Sequence, residues 1–332
     1  MKKNILIYTS SRADYNPLQN IITEFQKSKK FNSLIVATGQ HNDHKSGNTI
    51  QEIRDNHKIK ILKIKHPIGL RNAANISKSK SIIVEKISKI LRKYKPQLLV
   101  LLGDRYELLP CAMTCVQYKV PVAHIHGGEV TLGSLDNIYR NAISKLSHIH
   151  FVCHNQYKKN LIKIGESPNR IFNYGAPSIE NIKKKNKTLR FKKKTFLVTY
   201  HPNTIFPEKT EKEITQLLDS LTYFKNYNFI LSQPNLDVNS HQIIKVIKKY
   251  NKKKNIIIKK SMGKKNYFST LQHINGIIGN SSSIILESSS FKLPAIMLGD
   301  RQKGRIMTKN IICANFEKKA IIKKIIKISK DN

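Results

Sequence analysis

The sequence predicts an α/β protein built from two doubly wound halves, each around a parallel sheet. Three observations support this fold class. Short apolar runs rich in Ile, Val and Leu alternate with longer amphipathic stretches, a pattern typical of βαβ units. The alternation is interrupted by a lysine-rich segment near the middle of the chain and then starts again. The length of 332 residues is sufficient for two domains that each bury a core.

The elements of the first half follow from apolar runs of strand length and from the helical spacing between them. The predicted strands are Asn4–Thr9, Ser33–Thr38, Gln97–Leu102, Val120–Ile125 and Ile149–Cys153. The predicted helices are Pro17–Lys29, Ile76–Tyr94, Glu107–Tyr118, Asp136–Lys145 and Gln156–Ile164. Residues 1–180 are therefore expected to form an N-terminal domain.

A basic linker is predicted at residues 181–194, because its runs of lysine carry too much like charge to pack. The alternation then resumes, and residues 195–332 are expected to form a C-terminal domain. Its predicted strands are Thr195–Tyr200, Asn228–Ser232, Asn255–Ile258, Gly276–Gly279 and Pro294–Leu298. Its predicted helices are Thr210–Phe224, Gln242–Tyr250, Tyr267–His273, Ser283–Ser290 and Lys318–Ile328.

The net charge of +39, from 60 Lys and Arg residues against 21 Asp and Glu residues, first suggests a polyanionic partner. Lysines are dispersed through every segment, however, and tryptophan is absent. A nucleic-acid-binding surface instead concentrates basic and aromatic side chains on one face. We therefore prefer a solvated, compositionally biased surface and expect no nucleic-acid partner. Nucleic-acid binding remains the competing interpretation on charge alone.

A cytoplasmic location with no membrane partner is expected. No stretch approaches the roughly 18 consecutive apolar residues of a membrane span, and the apolar part of Met1–Thr9 is too short for a secretion signal. The four cysteines form no CxxC pair, so reduced thiols are expected. Two of them, Cys111 and Cys115, lie four residues apart in a predicted helix and are expected in the core.

Polar residues directly after a predicted strand are the candidates for a binding site. In doubly wound folds the ligand binds at the carboxyl ends of the strands, whereas polar residues elsewhere are usually solvated. Such a chain is expected to hold its ligand in a cleft between the two halves. Five segments satisfy this condition: Ser10–Asp14, Gly103–Glu107, His126–Glu129, His201–Asn203 and Gly279–Ser283.

The segment Gly279–Ser283 is small and polar and leads into a predicted helix, so its backbone N–H groups can receive a phosphate. A serine-rich helix cap without a ligand is the simpler alternative. Glu287, farther along the same helix, can accept hydrogen bonds from ribose hydroxyls. The segment Gly299–Arg305 adds two arginines and a lysine, and the combination favours a diphosphate ligand.

Three carboxylates, Asp104, Glu129 and Asp136, come from the first half, opposite the half that contains the phosphate-binding candidates. Asp136 and Arg140 are four residues apart on a predicted helix, a spacing that at a surface contributes only about 0.2–0.5 kcal/mol. Beside a cleft the same spacing keeps the carboxylate ionised and oriented, as acid/base catalysis requires.

Two histidine pairs alternate along predicted strands, His124 with His126 and His148 with His150. Each pair can share one face of its strand, as metal ligands must. No cysteine or carboxylate spacing completes a metal motif, so no metal site is expected. For His148 and His150 we prefer hydrogen bonding in the core or cleft.

Several motifs occur in order along the chain. They are Ser11–Tyr15, Gly47–Ile50, Gly103–Arg105, His124–Glu129, Asp136–Arg140, Ala142–His148, Gly279–Ser283 with Glu287, and Gly299–Gln302. Together, over about residues 4–316, they resemble the hydrolysing nucleotide-sugar 2-epimerases of sialic and legionaminic acid biosynthesis. The combination is far more specific than any single motif.

The resemblance implies two Rossmann-like domains in a glycosyltransferase-B (GT-B) arrangement with an inter-domain cleft. It also implies an enzyme that converts a UDP-activated 2-acetamido sugar and water to the free 2-epimer and UDP, by elimination followed by hydration. No cofactor, metal or nicotinamide is implied. A homo-oligomer, either a dimer or a tetramer, is expected.

By the same resemblance, the catalytic residues are Asp104, His126, Glu129, Asp136 and Arg140, with Arg140 orienting Asp136. The implied substrate- and nucleotide-binding residues are Arg12, Asp14, Arg105, His201, Asn235, Ser281, Ser282, Glu287 and Arg301. Diphosphate contacts are implied for Arg12, His201, Ser281, Ser282 and Arg301, and the ribose contact is implied for Glu287.

The chain departs from the family pattern in three places. Epimerases acting on UDP-N-acetylglucosamine commonly have a glutamate where this chain has His126, and the segment before Asp136 is one residue longer here. Both features resemble the branch acting on UDP-N,N′-diacetylbacillosamine, so we expect His126 to take a proton-transfer or substrate-orienting role. The family also usually continues through a Gly-rich loop and a further helix beyond a final helix like the one here. Two alternatives stay open: closure of the cleft is affected, or a shorter crossing helix serves.

Two other functions would use the same nucleotide-binding residues. One is a GT-B glycosyltransferase, which passes the sugar to an acceptor, and the other is a non-catalytic nucleotide-sugar-binding protein. The identity of the hexosamine, and whether it is linked to UDP or GDP, stay open at the level of sequence.

Overall fold

The structure is a computed structural model that describes residues 2–43, 49–67, 72–180, 189–233, 240–259 and 262–330. The chain forms two compact units. Unit 1 contains residues 1–129 and 135–178, and unit 2 contains residues 130–134 and 179–332. The domain limits at 180 and 195 stay predictions, and residues 181–188 of the predicted linker lie outside the described residues.

Unit 1 is built on one parallel sheet with helices on both faces. Its strands are β1 (Lys3–Thr9), β2 (Phe31–Ala37), β3 (Lys60–Lys63), β4 (Leu98–Leu102), β5 (Val122–Ile125), β6 (Ile149–Val152) and β7 (Ile171–Asn173). Their order in the sheet is β3-β2-β1-β4-β5-β6-β7. Its helices are α1 (Arg12–Lys27), α2 (Thr49–Asn56), α3 (Ala73–Tyr94), α4 (Leu108–Gln117), α5 (Asp136–Lys145) and α6 (Asn155–Lys163).

Unit 2 repeats this plan. Its strands are β8 (Thr195–Thr199), β9 (Asn228–Ser232), β10 (Ile256–Lys259), β11 (Gly276–Gly279), β12 (Ala295–Leu298) and β13 (Ile311–Ala314). They form a parallel sheet in the order β10-β9-β8-β11-β12-β13. Its helices are α7 (Thr210–Thr222), α8 (Ser240–Lys249), α9 (Gly263–Leu271), α10 (Ser283–Leu286) and α11 (Lys318–Lys330).

Both sheets follow the strand order of doubly wound Rossmann-like folds, which confirms the predicted fold class. The central strands are mostly apolar and buried because helices cover both of their faces. In unit 1 one apolar cluster joins the sheet to α3 and α4, and a second joins it to α1 and α2. Cys111 and Cys115 are fully buried in the first cluster, as predicted.

Helix α1 begins at Arg12 and not at the predicted Pro17. The carboxylate of Asp14 accepts hydrogen bonds from the backbone N–H groups of Ser10 and Ser11, at 2.6 and 2.7 Å. It also accepts from the hydroxyl of Ser11 at 2.7 Å. These bonds satisfy donors that a helix start leaves unpaired, so the helix begins before the proline.

Helix α10 is shorter than the predicted Ser283–Ser290. Three consecutive serines, Ser288, Ser289 and Ser290, donate their hydroxyls to the carbonyls of the residues four positions earlier. Serine hydroxyls that bond to nearby carbonyls compete with the backbone ladder. The regular helix therefore ends at Leu286 and continues as turns.

Three strands and one helix were not predicted. The strands β3, β7 and β13 have 4, 3 and 4 residues and lie at or next to sheet edges. Most of their residues are exposed or only partly buried, so they lack the continuous buried run of the central strands. Helix α2 has only 8 residues. Among the described residues, no helix has both the length and the apolar character needed to cross a membrane.

Candidate active site

Each sheet reverses its strand order at one point, between β1 and β4 in unit 1 and between β8 and β11 in unit 2. Ligands of doubly wound folds bind beside such a switch point, at the carboxyl ends of the strands. Four of the five polar segments predicted from sequence follow these four strands. The fifth, His126–Glu129, follows β5, which pairs with β4. The strongest sequence candidates therefore lie where this fold binds ligands.

Arg140 is fully buried on α5 although it carries a charge. Its guanidinium donates to the carboxylate of Asp104 and, at 3.0 Å, to the backbone carbonyl of Glu129. Burial alone would lower the pKa of Arg140, but the carboxylates of Asp104, Glu129 and Asp136 outweigh that effect and raise it. The charge is therefore permanent, and it holds Asp104 at the end of β4.

Asp136 is the first residue of α5 and is half-buried. Its carboxylate acts electrostatically on Arg140. The predicted orienting of Asp136 by Arg140 stays a prediction, whereas the direct ion pair with Asp104 is a contact that the spacing did not indicate.

His126 and Glu129 form a buried pair with Cys153 beside it. The Nδ1 atom of His126 lies 2.7 Å from Oε1 of Glu129, and the thiol of Cys153 donates to the same oxygen at 3.2 Å. His126 and Glu129 are 7% and 3% exposed. Cys153 was not a sequence candidate, because the predicted strand included it, whereas β6 ends one residue earlier at Val152.

The backbone that carries His126 and Glu129 is unusually constrained. His126 has φ 69°, a left-handed conformation that is uncommon outside glycine. Gly128 has φ 74°, and a Cβ atom there would lie 2.3 Å from the carbonyl oxygen of Tyr157. Only glycine fits this position, and the tight turn directs both side chains toward Cys153.

His124 is buried and does not join His126. Its Nε2 lies 2.7 Å from the carbonyl oxygen of Gly103, and its Nδ1 lies 3.0 Å from the hydroxyl of Ser144. Burial lowers the pKa of His124 to about 4, so the ring is neutral at neutral pH. This histidine ties the end of β4 to α5.

The second histidine pair divides between core and surface. His150 is buried and lies 3.1 Å from the carboxylate of Glu166, which confirms a hydrogen-bonding role in the core. His148 accepts a hydrogen bond from the N–H of Val122 at 3.3 Å but is exposed, so the preferred core or cleft position is wrong for it.

Arg12 and Asp14 lie in the first turn of α1, just after the short loop that follows β1. Asp14 is 3% exposed, and its oxygens accept from Ser10 and Ser11, so it fixes the loop that leads into Arg12. Arg12 is half-buried, and burial lowers its pKa although Glu52 opposes the shift. Arg105 donates to the fully buried carboxylate of Glu107 at 3.1 and 3.3 Å.

His41 is a candidate that sequence reasoning missed. Its ring lies 2.9 Å from the hydroxyl of Thr9 and 3.0 Å from that of Thr49. Burial lowers its pKa to about 4, and the charges of Asp14, Arg105 and Arg12 act on it. The signal was present in the sequence, because His41 follows β2 closely, but its segment is not among the five predicted.

In unit 2, Asn280 connects the loops that carry the predicted diphosphate contacts. Its side chain accepts from the N–H of His201 and donates to the carbonyl of His201, both at 2.8 Å. Its own carbonyl accepts from Arg301 at 3.3 Å and from Gln302 at 3.2 Å. The side chain and the backbone of one buried asparagine thus join the ends of β8 and β11 to the segment after β12.

Ser281 and Ser282 lie half-buried directly after β11. Glu287 is half-buried just beyond α10 and accepts a hydrogen bond from the phenol of Tyr267. Burial raises the pKa of Glu287 to about 7, and the Tyr267 hydrogen bond opposes the shift. The carboxyl is therefore poised to change its charge near neutral pH.

Residues 130–134 belong to unit 2 by their contacts, although they follow Glu129 in sequence. The N–H of Leu132 donates to the carbonyl of Lys303 at 2.9 Å, and the hydroxyl of Ser134 lies 3.2 Å from that of Thr204. A Cβ atom on Gly133 would lie 2.2 Å from the carbonyl oxygen of Asp300. This segment therefore packs directly against the loop that contains Arg301.

The structure places the predicted residues in two groups, one in each unit. Unit 1 places Asp104, His126 and Glu129 after β4 and β5, with Asp136 and Arg140 on α5, where Arg140 pairs with Asp104. It places Arg12, Asp14 and Arg105 after β1 and β4. Unit 2 brings together His201 and Arg301, with Ser281, Ser282 and Glu287 following β11. Asn235 lies outside the described residues.

Two Rossmann-like sheets with polar loops at their switch points are typical of α/β proteins that bind nucleotides. Comparison with known proteins refines this. A family model described as "UDP-N-acetylglucosamine 2-epimerase" matches residues 23–332. The chain belongs to this UDP-N-acetylglucosamine 2-epimerase family.

Two curated relatives match nearly the whole chain. A Campylobacter jejuni protein named "GDP/UDP-N,N'-diacetylbacillosamine 2-epimerase (hydrolyzing)" is 40% identical over 94% of this chain and 84% of its own length. A Legionella pneumophila protein named "UDP-N,N'-diacetylbacillosamine 2-epimerase (hydrolyzing)" is 32% identical over 97% of this chain and 88% of its own. The predictions of an enzyme and of a hydrolysing 2-epimerase are confirmed.

A solved structure shows the same fold. The Methanocaldococcus jannaschii UDP-GlcNAc 2-epimerase, crystallised with UDP-GlcNAc and UDP, aligns with a TM-score of 0.81 over 99% of this chain and 92% of that one. Its sequence is 20% identical, so this comparison supports the fold alone.

Proposed function

We propose that this enzyme converts UDP-N,N′-diacetylbacillosamine and water to 2,4-diacetamido-2,4,6-trideoxymannose and UDP. The observation that carries the chemistry is the buried Arg140 with Asp104, Glu129 and Asp136 acting on it. The names of the Campylobacter and Legionella relatives support the sugar. His126, at the position where epimerases acting on UDP-N-acetylglucosamine commonly have glutamate, supports the same choice over UDP-N-acetylglucosamine, whose product would be N-acetylmannosamine.

The C2 hydrogen of the sugar is not acidic in the ground state. It becomes acidic only when the C1–O bond breaks, and a carboxylate can then remove it. When the C1–O bond breaks, its electron pair leaves with UDP, and C1 gains oxocarbenium character. A base then removes the C2 proton, and the C2–H electrons form the C1–C2 double bond of a glycal. Protonation of C2 from the opposite face and addition of water at C1 complete the epimerisation.

Acid and base groups are needed on both faces of the sugar ring. We assign these roles to Asp104, Glu129 and Asp136, with Arg140 orienting Asp104 through their ion pair. His126 contacts Glu129 and takes part in one proton transfer or orients the sugar.

The departing diphosphate needs positive charge and hydrogen-bond donors. We assign these to Arg12 from unit 1 and to His201, Ser281, Ser282 and Arg301 from unit 2, with Glu287 accepting from the ribose. Asp14 and Arg105 are already engaged with Ser10, Ser11 and Glu107, so we assign them a positioning role.

We further propose a cytoplasmic homo-oligomer, either a dimer or a tetramer, without a nucleic-acid or membrane partner. All four cysteines are described, and none is in a disulfide, which suits a reducing compartment.

The experiment measures UDP release in the absence of an acceptor, with UDP-N,N′-diacetylbacillosamine, its GDP analogue and UDP-N-acetylglucosamine side by side. We expect the first to react fastest. Asp104→Asn and Glu129→Gln should each lower kcat by about 10²–10⁴-fold, the usual contribution of a general acid or base. Glu85→Gln, on an exposed helix position, serves as the matched control and should retain full activity.

Two results would overturn the proposal. Full turnover of both active-site variants would remove the carboxylates from the mechanism. UDP release that requires an added sugar acceptor would instead identify a glycosyltransferase, and UDP binding without release would identify a nucleotide-sugar-binding protein.

A further inference from the structure

His126, Glu129 and Cys153 place three different metal-ligating atoms close together. Nδ1 of His126, Oε1 of Glu129 and Sγ of Cys153 all lie within 4.8 Å of one another. Two of the separations are 2.7 and 3.2 Å, both measured to the Glu129 oxygen. His126 and Glu129 are buried, and Cys153 is half-buried.

The fold assembles this cluster from two neighbouring strands. β5 and β6 are parallel partners, and the N–H of His126 donates to the carbonyl of Phe151 at 2.9 Å. His126 and Cys153 therefore leave the same edge of the sheet side by side. The turn at Gly128 then brings Glu129 back onto them. The three ligand atoms are held by backbone geometry before any ion arrives.

The set of donors selects the kind of ion. Imidazole nitrogen, carboxylate oxygen and thiolate sulfur are the ligands of Zn²⁺, which binds them at about 2.0, 2.0 and 2.3 Å. In a tetrahedral site, those bond lengths place ligand atoms about 3.3–3.5 Å apart. The two separations to the Glu129 oxygen are a few tenths of an ångström shorter than these values, so small side-chain rotations suffice. Three protein ligands leave a fourth position for water.

The surrounding charges also permit a cation. Arg140 would repel one, but its guanidinium is paired with Asp104, and Asp136 acts on it as well. Glu129 and a Cys153 thiolate would supply two further negative charges in contact with the ion.

We propose that His126, Glu129 and Cys153 form an inhibitory binding site for Zn²⁺ or another thiophilic divalent cation. On binding, the thiol of Cys153 gives its proton to solvent, a sulfur lone pair forms the metal–sulfur bond, and the ion loses water molecules without a change of oxidation state. The inhibition rests on the proposed function, because the ion occupies Glu129 and His126, which the epimerase reaction needs. The ion is an inhibitor of this enzyme and not its cofactor.

The test uses Co²⁺ as a spectroscopic probe of the full-length protein. A thiolate ligand gives an intense sulfur-to-cobalt charge-transfer absorption, which histidines and carboxylates alone do not give. We expect wild-type protein to develop this absorption with a single Co²⁺ per chain and to lose it when Zn²⁺ is added. Cys153→Ser, which keeps a hydroxyl to donate to Glu129, should lose the absorption and bind Zn²⁺ at least about 100-fold more weakly.

Cys313→Ser is the matched control, because Cys313 is the exposed thiol and lies on β13 of unit 2. This variant should keep the wild-type absorption. Glu129→Gln is a second variant of the site and should weaken Zn²⁺ binding while leaving Cys153 in place. Wild-type protein without the absorption, or Cys153→Ser protein that retains it, would overturn the proposal.

The activity assay separates this inference from the proposed function. Zn²⁺ should inhibit UDP release by the wild type, a chelator should restore it, and Cys153→Ser should be at least about 100-fold less sensitive to Zn²⁺. If the protein shows the Cys153-dependent absorption but releases no UDP, the metal site is supported and the proposed epimerase function is wrong. Activity that Zn²⁺ does not affect despite that absorption would reject the inhibition.

Discussion

A single buried arginine organises the candidate acid/base residues. Transfer of a guanidinium from water to a protein interior costs several kcal/mol unless it is paired and hydrogen-bonded. Arg140 is fully buried and donates to Asp104 and to the backbone of Glu129. The ion pair with Asp104 offsets this desolvation cost, and it also fixes a carboxylate that the proposed chemistry needs.

Glu287 predicts a pH dependence of nucleotide binding. Its pKa is raised to about 7 by burial, and an ionised carboxylate is the better acceptor for ribose hydroxyls. Affinity should therefore rise as the pH increases from about 5 through 7 and then level off. Uridine is the suitable probe, because it has no phosphate that titrates in this range. Its Kd can be measured by calorimetry at each pH.

The variant Glu287→Gln should bind uridine with an affinity that no longer depends on pH in this range. Glu211→Gln, at an exposed position of α7, is the control and should keep the wild-type profile. A wild-type affinity that falls between pH 5 and about 7 would contradict the role assigned to Glu287.

For individual residues, the sequence predicted the polar side chains that directly follow central strands. Asp104 and Glu129 come after apolar runs that are easily assigned. Cys153 was missed because β6 ends one residue earlier than predicted, which moves this side chain from the strand to the loop. Its proximity to Glu129 depends on the pairing of β5 with β6, which sequence spacing does not show.

Among the elements, the segment 130–134 offers a direct test of how the loop with Arg301 is positioned. The Cβ of an alanine at position 133 would lie 2.2 Å from the carbonyl oxygen of Asp300 and 2.8 Å from Cα of Arg301. Gly133→Ala should therefore displace this loop and weaken UDP binding about tenfold. A loss of stability of about 1–3 kcal/mol should accompany it, as for other overpacked sites.

The control for Gly133→Ala is Leu132→Ala. The side chain of Leu132 is 57% exposed, and its contact with Lys303 is made by the backbone, so UDP affinity should be unchanged. Unaltered UDP affinity in Gly133→Ala, measured by calorimetry, would show that the segment does not position Arg301.

Element prediction gave the observed limits of one helix and two strands. Asp136–Lys145, Asn228–Ser232 and Gly276–Gly279 were predicted with the limits that the structure shows. It failed at the starts and ends that depend on side-chain hydrogen bonds. Asp14 extends α1 beyond the predicted start at Pro17, and the run of serines after Glu287 ends α10 early.

The charge of the whole molecule predicts a salt-dependent stability. A net charge of +39 opposes the compact state through self-repulsion. Raising the ionic strength from about 0.01 to about 0.15 M shortens the Debye length from about 30 to about 8 Å, which screens that repulsion. The thermal unfolding midpoint should therefore rise with NaCl over this range. KCl at equal ionic strength is the control and should have the same effect.

A midpoint that falls with added salt would mean that specific ion pairs outweigh the general repulsion. Several pairs at the surface, such as Lys89 with Glu85, are exposed and of the kind that salt weakens. The account predicts that their loss is smaller than the gain from screening.

The architecture of the whole chain could be predicted because the alternation of strands and helices is a property of many residues at once. Errors of a few residues at helix ends do not change it. The edge strands β3, β7 and β13 were missed, but the switch points lie between central strands, so the location of the candidate site was still predicted. Nothing in the sequence pattern indicates that residues 130–134 belong to unit 2 while the residues on either side belong to unit 1.

The central claim is that the enzyme removes the C2 proton and replaces it on the opposite face. The most direct test is the reaction of UDP-N,N′-diacetylbacillosamine in deuterated water, followed by NMR of the released sugar. The account predicts inverted configuration at C2 with deuterium bound there, and UDP released in equal amount. A product that keeps its original hydrogen and configuration at C2 would contradict it.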